Sequence, residues 1–158
     1  MRGGKTGLIG LLEFGYSEAS ARRTSDLAVE LRRRGYQVMS HNALWYPSVR
    51  DAVNVFLDAR VEGLILVMLS ATMEPVLESI RQTGVPCVAF NGAYLPGLPQ
   101  VRSDVTSGVR ELTEHLLRDG KRRRLALLTS IIKGPRAVER YWPAYERMAG
   151  FTAVIEEA

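Results

Sequence analysis

The stretch that decides the fold of this chain lies at residues 101–126 and reads VRSDVTSGVRELTEHLLRDGKRRRLA. It begins with a short predicted strand, after which Asp104 is suited to cap a helix. Apolar residues then recur at three- and four-residue spacing, which predicts a helix that ends at Gly120. A further strand is predicted at residues 125–128. The apolar positions of the helix are Val109, Leu112, Leu116 and Leu117.

The residues before this stretch alternate in the same way between strand and helix signals. Short apolar runs predict strands at residues 5–12, 37–44, 63–69 and 85–90. Amphipathic patterns predict helices at residues 17–34, from 47–48 onwards, and at 72–82. This alternation, with short connections, predicts an α/β fold: a three-layer parallel sheet with helices on both faces.

Residues 101–126 resemble the signature of the LacI/GalR (lac-repressor-type) transcription regulators. In that family an Asp-x-x-x-Gly…His-Leu-x-x-x-Gly run crosses between the two lobes of the effector-binding domain. Four more segments are similar to the family in the same order: TGLIGLL at 6–12, RGYQV at 34–38, RVEGLIL at 60–66 and GVPCV at 84–88.

This resemblance implies a periplasmic-binding-protein-like type I fold. Residues 1–100 would form the first α/β lobe of the effector-binding domain. Residues 101–158 would form the interlobe crossover and an incomplete second lobe, with a strand at 151–158. The family's helix-turn-helix and hinge are not found in this sequence, so the resemblance implies a domain truncated at both ends.

Ligands of open parallel sheets bind beyond the carboxyl ends of the strands. Aromatic residues fall near those ends, where a flat apolar face could stack on a sugar or purine, although packing between lobes or subunits is the alternative. These residues are Phe14, Tyr16, Trp45, Tyr46 and Tyr94. Together with the resemblance, the pattern predicts ligand-binding residues at Phe14, Tyr16, Ser70, Asn91, Asp104 and Arg140.

Two of these assignments leave alternatives open. Asp104 could accept hydrogen bonds from ligand hydroxyls or could only cap its helix. Arg140 matches the family's effector-binding arginine by resemblance, with Arg136 as the alternative, because RYWPAY at 140–145 departs from the family pattern. Lys121 stands where the family usually has histidine.

Other chemistries are not indicated. His41 and His115 lie far apart without metal-ligand spacing, so we expect no metal, no cofactor, no catalytic residues and no enzyme activity. The net charge of +4 is scattered, and arginines at helix ends complement the helix dipole, so no direct nucleic-acid contact is expected from this chain. The single cysteine, Cys87, is interpreted as a core thiol.

The sequence therefore predicts the sensor portion of a LacI-type regulator that binds a sugar or purine-like effector. No apolar run approaches the roughly 20 residues that cross a bilayer and no signal peptide is visible, so a cytoplasmic protein without membrane contact is expected. Apolar surface at residues 125–128 and 137–148 predicts a homodimer. The alternatives are a solute-binding protein of the same fold, a small flavodoxin-like enzyme, and a truncated fragment that binds nothing.

Overall fold

The structure is a computed structural model that describes residues 6–15, 18–68, 74–92, 94–129 and 142–157. The chain divides into two compact units: unit 1 is Met1–Arg102 and unit 2 is Ser103–Ala158. Unit 1 holds a parallel sheet in the order β2-β1-β3-β4-β5. Its strands are β1 (Leu8–Glu13), β2 (Gln37–Asn42), β3 (Gly63–Val67), β4 (Cys87–Phe90) and β5 (Gln100–Val101).

Helices lie on both faces of this sheet. They are α1 (Glu18–Arg33), α2 (Val49–Asp58) and α3 (Glu74–Gln82). Successive strand residues point to opposite faces. Ile9 and Ile65 line a groove with Leu31 of α1. On the other face, a Cβ added to Gly10 would lie 2.6 Å from a ring carbon of Phe56 in α2. The predicted three-layer α/β fold is therefore confirmed.

The core of unit 1 lies between the sheet and the helices α2 and α3. Phe56 is the largest side chain in it and is completely buried. Because Gly10 has no side chain, the Phe56 ring can lie directly against strand β1. The fully buried residues around it are Leu12, Ala52, Leu64, Leu66, Leu77 and Ile80.

The predicted elements of unit 1 are confirmed, with small differences at their ends. Strand β2 stops at Asn42, two residues before the predicted end at 44, because the Asn42 side chain accepts a hydrogen bond from the Leu44 N–H and starts a 3-10 turn over Ala43–Trp45. Ser48 caps α2 through the Asp51 N–H. The first two residues of the helix predicted at 72–82 lie outside the residues that the structure describes, and α3 is described from Glu74.

The part of unit 2 that the structure describes contains two helices, α4 (Val105–Arg118) and α5 (Trp142–Glu157). Asp104 caps α4 as predicted, since its carboxylate accepts a hydrogen bond of 3.0 Å from the Ser107 N–H. The two helices pack closely where Gly150 of α5 lies against the Thr106 backbone of α4. Arg110 of α4 also makes an ion pair of 2.6 Å with Glu157 of α5.

Two strand predictions in unit 2 are wrong. Residues 124–129 form no strand, and the predicted strand at 151–158 is helical as far as Glu157. A strand needs a neighbouring strand for its N–H and C=O groups, whereas a helix satisfies them internally. The part of unit 2 that the structure describes offers no such neighbour. Of the apolar segment at 137–148, residues 142–148 lie in α5, and the earlier residues are outside the described range.

Candidate functional site

The loops that follow the strands begin side by side at the carboxyl edge of the sheet. Beyond the end of β1, the Phe14 N–H donates to the Val67 carbonyl at 3.0 Å. Beyond the end of β4, the Asn91 N–H donates to the Val101 carbonyl at 2.8 Å. These bonds extend the sheet pairing by one residue, so the first residue of each loop is held in a defined place.

Two residues at this edge have an uncommon backbone conformation. Met68 and Asn91 have φ angles of 63° and 54°, in the left-handed region that favours glycine. Arg60 and Lys121 share this conformation, but they follow helices, where left-handed caps are frequent. Met68 and Asn91 follow strands instead, and such residues concentrate at ligand sites at a cost of about 1–3 kcal/mol each.

Two hydrogen bonds join Met68 to the end of β4, one to Phe90 and one to Asn91. The Met68 N–H donates to the Phe90 carbonyl at 3.0 Å. The Asn91 side-chain amide lies 3.6 Å from the Met68 sulfur, a weak acceptor. The Asn91 carboxamide is half-buried and fixed at the edge, with its oxygen suited to accept a hydrogen bond.

The aromatic residues beyond β2 divide into one that is half-buried and one that is exposed. Tyr46 packs against the core, and its hydroxyl is hydrogen-bonded to His41 Nδ1. The His41 ring in turn lies edge-on to Phe56, with 5.3 Å between ring centroids. Trp45 is 61% exposed. Of these two predicted aromatics, Trp45 therefore leaves most of its ring exposed, whereas Tyr46 packs into the fold.

Tyr94, in the loop between β4 and β5, is 67% exposed and forms a cation–π contact. The Arg102 guanidinium carbon lies 5.9 Å from the centroid of its ring. Sequence reasoning did not identify Arg102, because nothing in the local pattern links it to an aromatic residue eight positions earlier. The contact holds a flat ring and a cation together at the end of β5.

Glu13 is a second candidate that sequence reasoning passed over. It is the last residue of β1, and its carboxylate accepts a hydrogen bond of 3.3 Å from the Ser40 hydroxyl of β2. The signal was its position, because a carboxylate at the end of the first strand lies at the ligand-binding edge of an open sheet.

The six predicted ligand-binding residues have different outcomes. Phe14 lies at the carboxyl edge, but its half-buried ring packs against the core cluster. Asn91 lies at the same edge, and Asp104 is an exposed helix cap in unit 2. The structure therefore brings Phe14 and Asn91 to one edge. Tyr16, Ser70 and Arg140 lie outside the described residues.

Amide, carboxylate and aromatic groups at one edge can hydrogen-bond to hydroxyl or ring nitrogen atoms and stack on a flat or apolar face. Among the described residues, no group of three or more side chains could hold a metal ion. Burial raises the pKa of the half-buried Cys87 thiol, which disfavours the reactive thiolate. Within the same ranges, no helix is long and apolar enough to cross a membrane.

Sequence comparison finds two bacterial regulatory proteins. No protein-family model matches the chain. The maltose regulon regulatory protein MalI of Escherichia coli strain K12 is 26% identical over 126 residues, which are 78% of this chain and 37% of that protein. The ribose operon repressor of Halalkalibacterium halodurans is 34% identical over 97 residues, 61% of this chain and 26% of that protein. The chain therefore spans well under half the length of each relative.

Solved structures with the same fold include regulators and solute-binding proteins. The lac repressor dimer bound to operator and the anti-inducer ONPF has a TM-score of 0.76 at 22% identity, over 98% of this chain and 52% of that one. The Cra regulator of Pseudomonas putida in complex with fructose 1-phosphate has a TM-score of 0.73 at 23% identity, over 96% and 54%. A galactofuranose binding protein has a TM-score of 0.75 at 18% identity, over 96% and 52%. The chain is thus a homologue of the LacI-type transcription regulators and has the periplasmic-binding-protein-like fold of their effector-binding domains.

Proposed function

We propose that this chain is the effector-binding, or sensor, portion of a LacI-type transcription regulator and that it binds a small polar ring molecule such as a sugar or nucleobase. The observation that carries the proposal is the homology to a maltose regulon regulatory protein and a ribose operon repressor, in a chain with this fold. The related structures of Cra and CelR are complexes with fructose 1-phosphate and cellobiose, which favours a sugar over a nucleobase.

The proposed ligand-binding residues are Phe14, Tyr16, Ser70, Asn91, Asp104 and Arg140, to which the structure adds Glu13 and Arg102 as candidates. Asn91 supports the assignment best, because its strained backbone and fixed side chain lie at the carboxyl edge. We assign residues 1–100 to the first lobe and residues 101–158 to the crossover and part of the second. An effector regulates such a protein only if it binds one conformation more tightly than another.

A thermal-shift screen against pentoses, hexoses, disaccharides, nucleobases and nucleosides tests the proposal. A ligand that binds only the folded state stabilises it by about 2.7 kcal/mol at a hundredfold excess over its dissociation constant. We expect at least one sugar to raise the melting temperature with dose, and Asn91→Ala to abolish that shift. A screen in which no compound shifts the melting temperature of the folded protein would contradict the proposal.

A variant that tests Asp104 as a ligand contact must keep its helix cap. Asp104→Asn keeps a capping oxygen and removes the charge. If the ligand no longer raises the melting temperature of this variant, the loss is assigned to the ligand contact and not to the cap. Ser48→Ala removes the cap of α2 in unit 1 and is a matched control for lower stability alone. It should lower the melting temperature and leave the ligand-induced shift unchanged.

A solute-binding protein of the same fold is the second candidate. It is favoured by the galactofuranose binding protein and by the fructose binding periplasmic domain of the hybrid two-component system BT1754, both similar in fold. The relatives found by sequence are a regulatory protein and a repressor, so we favour the regulator. The same two relatives also support our proposal that the chain acts in the cytoplasm.

A homodimer is part of the proposal, since the related lac repressor structure is a dimer. Unit 2 has exposed apolar side chains on both helices: Leu112 and Leu116 on α4, and Met148 and Ile155 on α5. Burying such side chains in an interface is favourable. Light scattering should give the mass of a dimer, and a monomer at high protein concentration would contradict this part.

A further inference from the structure

Two runs of basic residues in this chain differ in their surroundings. In the run at residues 32–34, Arg33 and Arg34 each make an ion pair of 2.8 Å with Glu30. The second run, Lys121 to Arg124, is exposed along its whole length. Within the described part of the chain, none of its four side chains makes an ion pair. We call residues 121–124 the cationic turn.

The two acidic residues nearest to the cationic turn in sequence are already bound to other groups. Glu114 makes ion pairs with both Arg110 and Arg118. Asp119 is hydrogen-bonded to His115 at 2.8 Å. These two carboxylates are thus paired with residues other than Lys121 to Arg124, and neither makes an ion pair with the cationic turn.

The helix dipole does not account for the whole run. Basic groups stabilise a helix C-terminus only within its last turn, and His115 and Arg118 already lie there in α4. The cationic turn follows the helix through Lys121, whose φ is 50°, and the Arg122 N–H donates to the Leu116 carbonyl at 3.1 Å. The backbone that carries the first of these cations is therefore anchored to α4.

We propose that the cationic turn binds the phosphate backbone of duplex DNA without regard to base sequence. Three of its four residues are arginines, whose planar guanidinium groups match pairs of phosphate oxygens. Its homologues are transcription regulators, so DNA is favoured over an acidic protein or an anionic membrane. This revises the expectation of no nucleic-acid contact, which treated the two basic runs alike. The proposal rests on the homology and needs no effector.

Fluorescence anisotropy with a short labelled duplex of arbitrary sequence tests the proposal on the full chain. Non-specific binding of this kind has dissociation constants of roughly 10⁻⁴ to 10⁻⁶ M and weakens steeply between about 50 and 200 mM salt. The triple variant R122A/R123A/R124A should bind more weakly. Its plot of log affinity against log salt should be shallower by about 3, because each arginine that neutralises a phosphate adds roughly one to the slope.

The triple variant R32A/R33A/R34A is the matched control. It removes the same charge from the other basic run, in which Glu30 makes ion pairs with Arg33 and Arg34. Its affinity and salt slope should stay near those of the unchanged protein, and thermal melts should show that both variants fold. Equal weakening in the two variants would overturn the proposal, since net charge alone would then explain binding. Tighter binding to polyglutamate or to anionic vesicles than to DNA at the same salt would overturn it too. The effector screen does not depend on these outcomes.

Discussion

Similar apolar runs form strands in unit 1 but not in the described part of unit 2. In unit 1, the short apolar runs pair with one another in a parallel sheet. In unit 2, the run LALL at 125–128 stays irregular, and Leu128 is fully exposed. Helices account for the regular structure of the described part of unit 2. The contrast shows that an apolar run becomes a strand only where a neighbouring strand pairs with its backbone.

If the core of unit 1 depends on the packing of α2 against the sheet, Phe56→Ala should have the largest effect of any change considered. The side chain is completely buried against Gly10 and Leu64. Its truncation leaves a cavity and should lower the free energy of unfolding by about 3–5 kcal/mol. Urea denaturation followed by circular dichroism measures this decrease.

Trp45→Ala is the control for that experiment, since Trp45 is aromatic but mostly exposed in the turn beyond β2. It should change the free energy of unfolding far less than Phe56→Ala. Similar decreases for the two variants would mean that the core of unit 1 is not centred on Phe56.

Sequence reasoning was sufficient for unit 1 because its signals are local and agree with one another. The φ angles of 87° at Gly35 and 72° at Gly84, just after α1 and α3, are those expected of residues that end helices. In unit 2 the strand expected at 151–158 came from the family resemblance and not from a local pattern, and residues 151–157 are helical, since close packing of Gly150 against Thr106 favours a helix. That contact joins positions more than forty residues apart, so no local pattern could indicate it.

The candidate site was predictable to a similar degree. The position of Asn91 at the carboxyl edge followed from the order of strands, because open parallel sheets bind ligands at that edge. Its choice as a ligand-binding residue also depended on the family resemblance. The left-handed conformation of Met68 and the contact of Arg102 with Tyr94 depend on how the loops pack, and sequence periodicity carries no information about that.

Substitution of two helical glycines by alanine tests the close packing in unit 2. A Cβ at Gly150 would collide with the Thr106 carbonyl oxygen of α4, which is backbone and cannot rotate away. Overpacking of this kind costs about 1–3 kcal/mol, more than the gain in helix propensity of about 1 kcal/mol. Gly150→Ala should therefore destabilise unit 2, as measured by hydrogen exchange of α4 and α5.

Gly108→Ala is the matched change in α4, where the added Cβ meets nothing within 4 Å. It should stabilise the helix by up to about 1 kcal/mol, because alanine is the better helix former. A stabilising effect at both positions would show that α4 and α5 are not in close contact at Gly150.

Removing a helix cap should have an equal effect on stability in the two units. Asp104 caps α4 and Ser48 caps α2, each through a side-chain oxygen that accepts from a backbone N–H. Replacing either with alanine should cost about 1 kcal/mol, whereas Asp104→Asn should retain most of the stability. Thermal melts measure both. A much smaller cost at Asp104 would mean that the start of α4 contributes little to the stability of unit 2.

The smallest effect concerns Glu30 and the paired basic run of unit 1. Hydrogen bonds from Arg33 and then Arg34 lower the Glu30 pKa from its usual 4.5 to about 2. Because the folded pKa is below the unfolded one, the contribution of this group to stability is complete above pH 4.5 and is lost as the pH falls towards 2. The group is exposed, so solvent and salt screen the interaction and the change in melting temperature should be slight.

The pKa shift of Glu30 is measurable by NMR titration of its carboxyl carbon, and the double variant R33A/R34A should return the pKa towards 4.5. If the pKa of Glu30 in the unchanged protein is not lowered, its ion pairs with Arg33 and Arg34 do not form in solution. The run at 32–34 would then be as unpaired as the cationic turn.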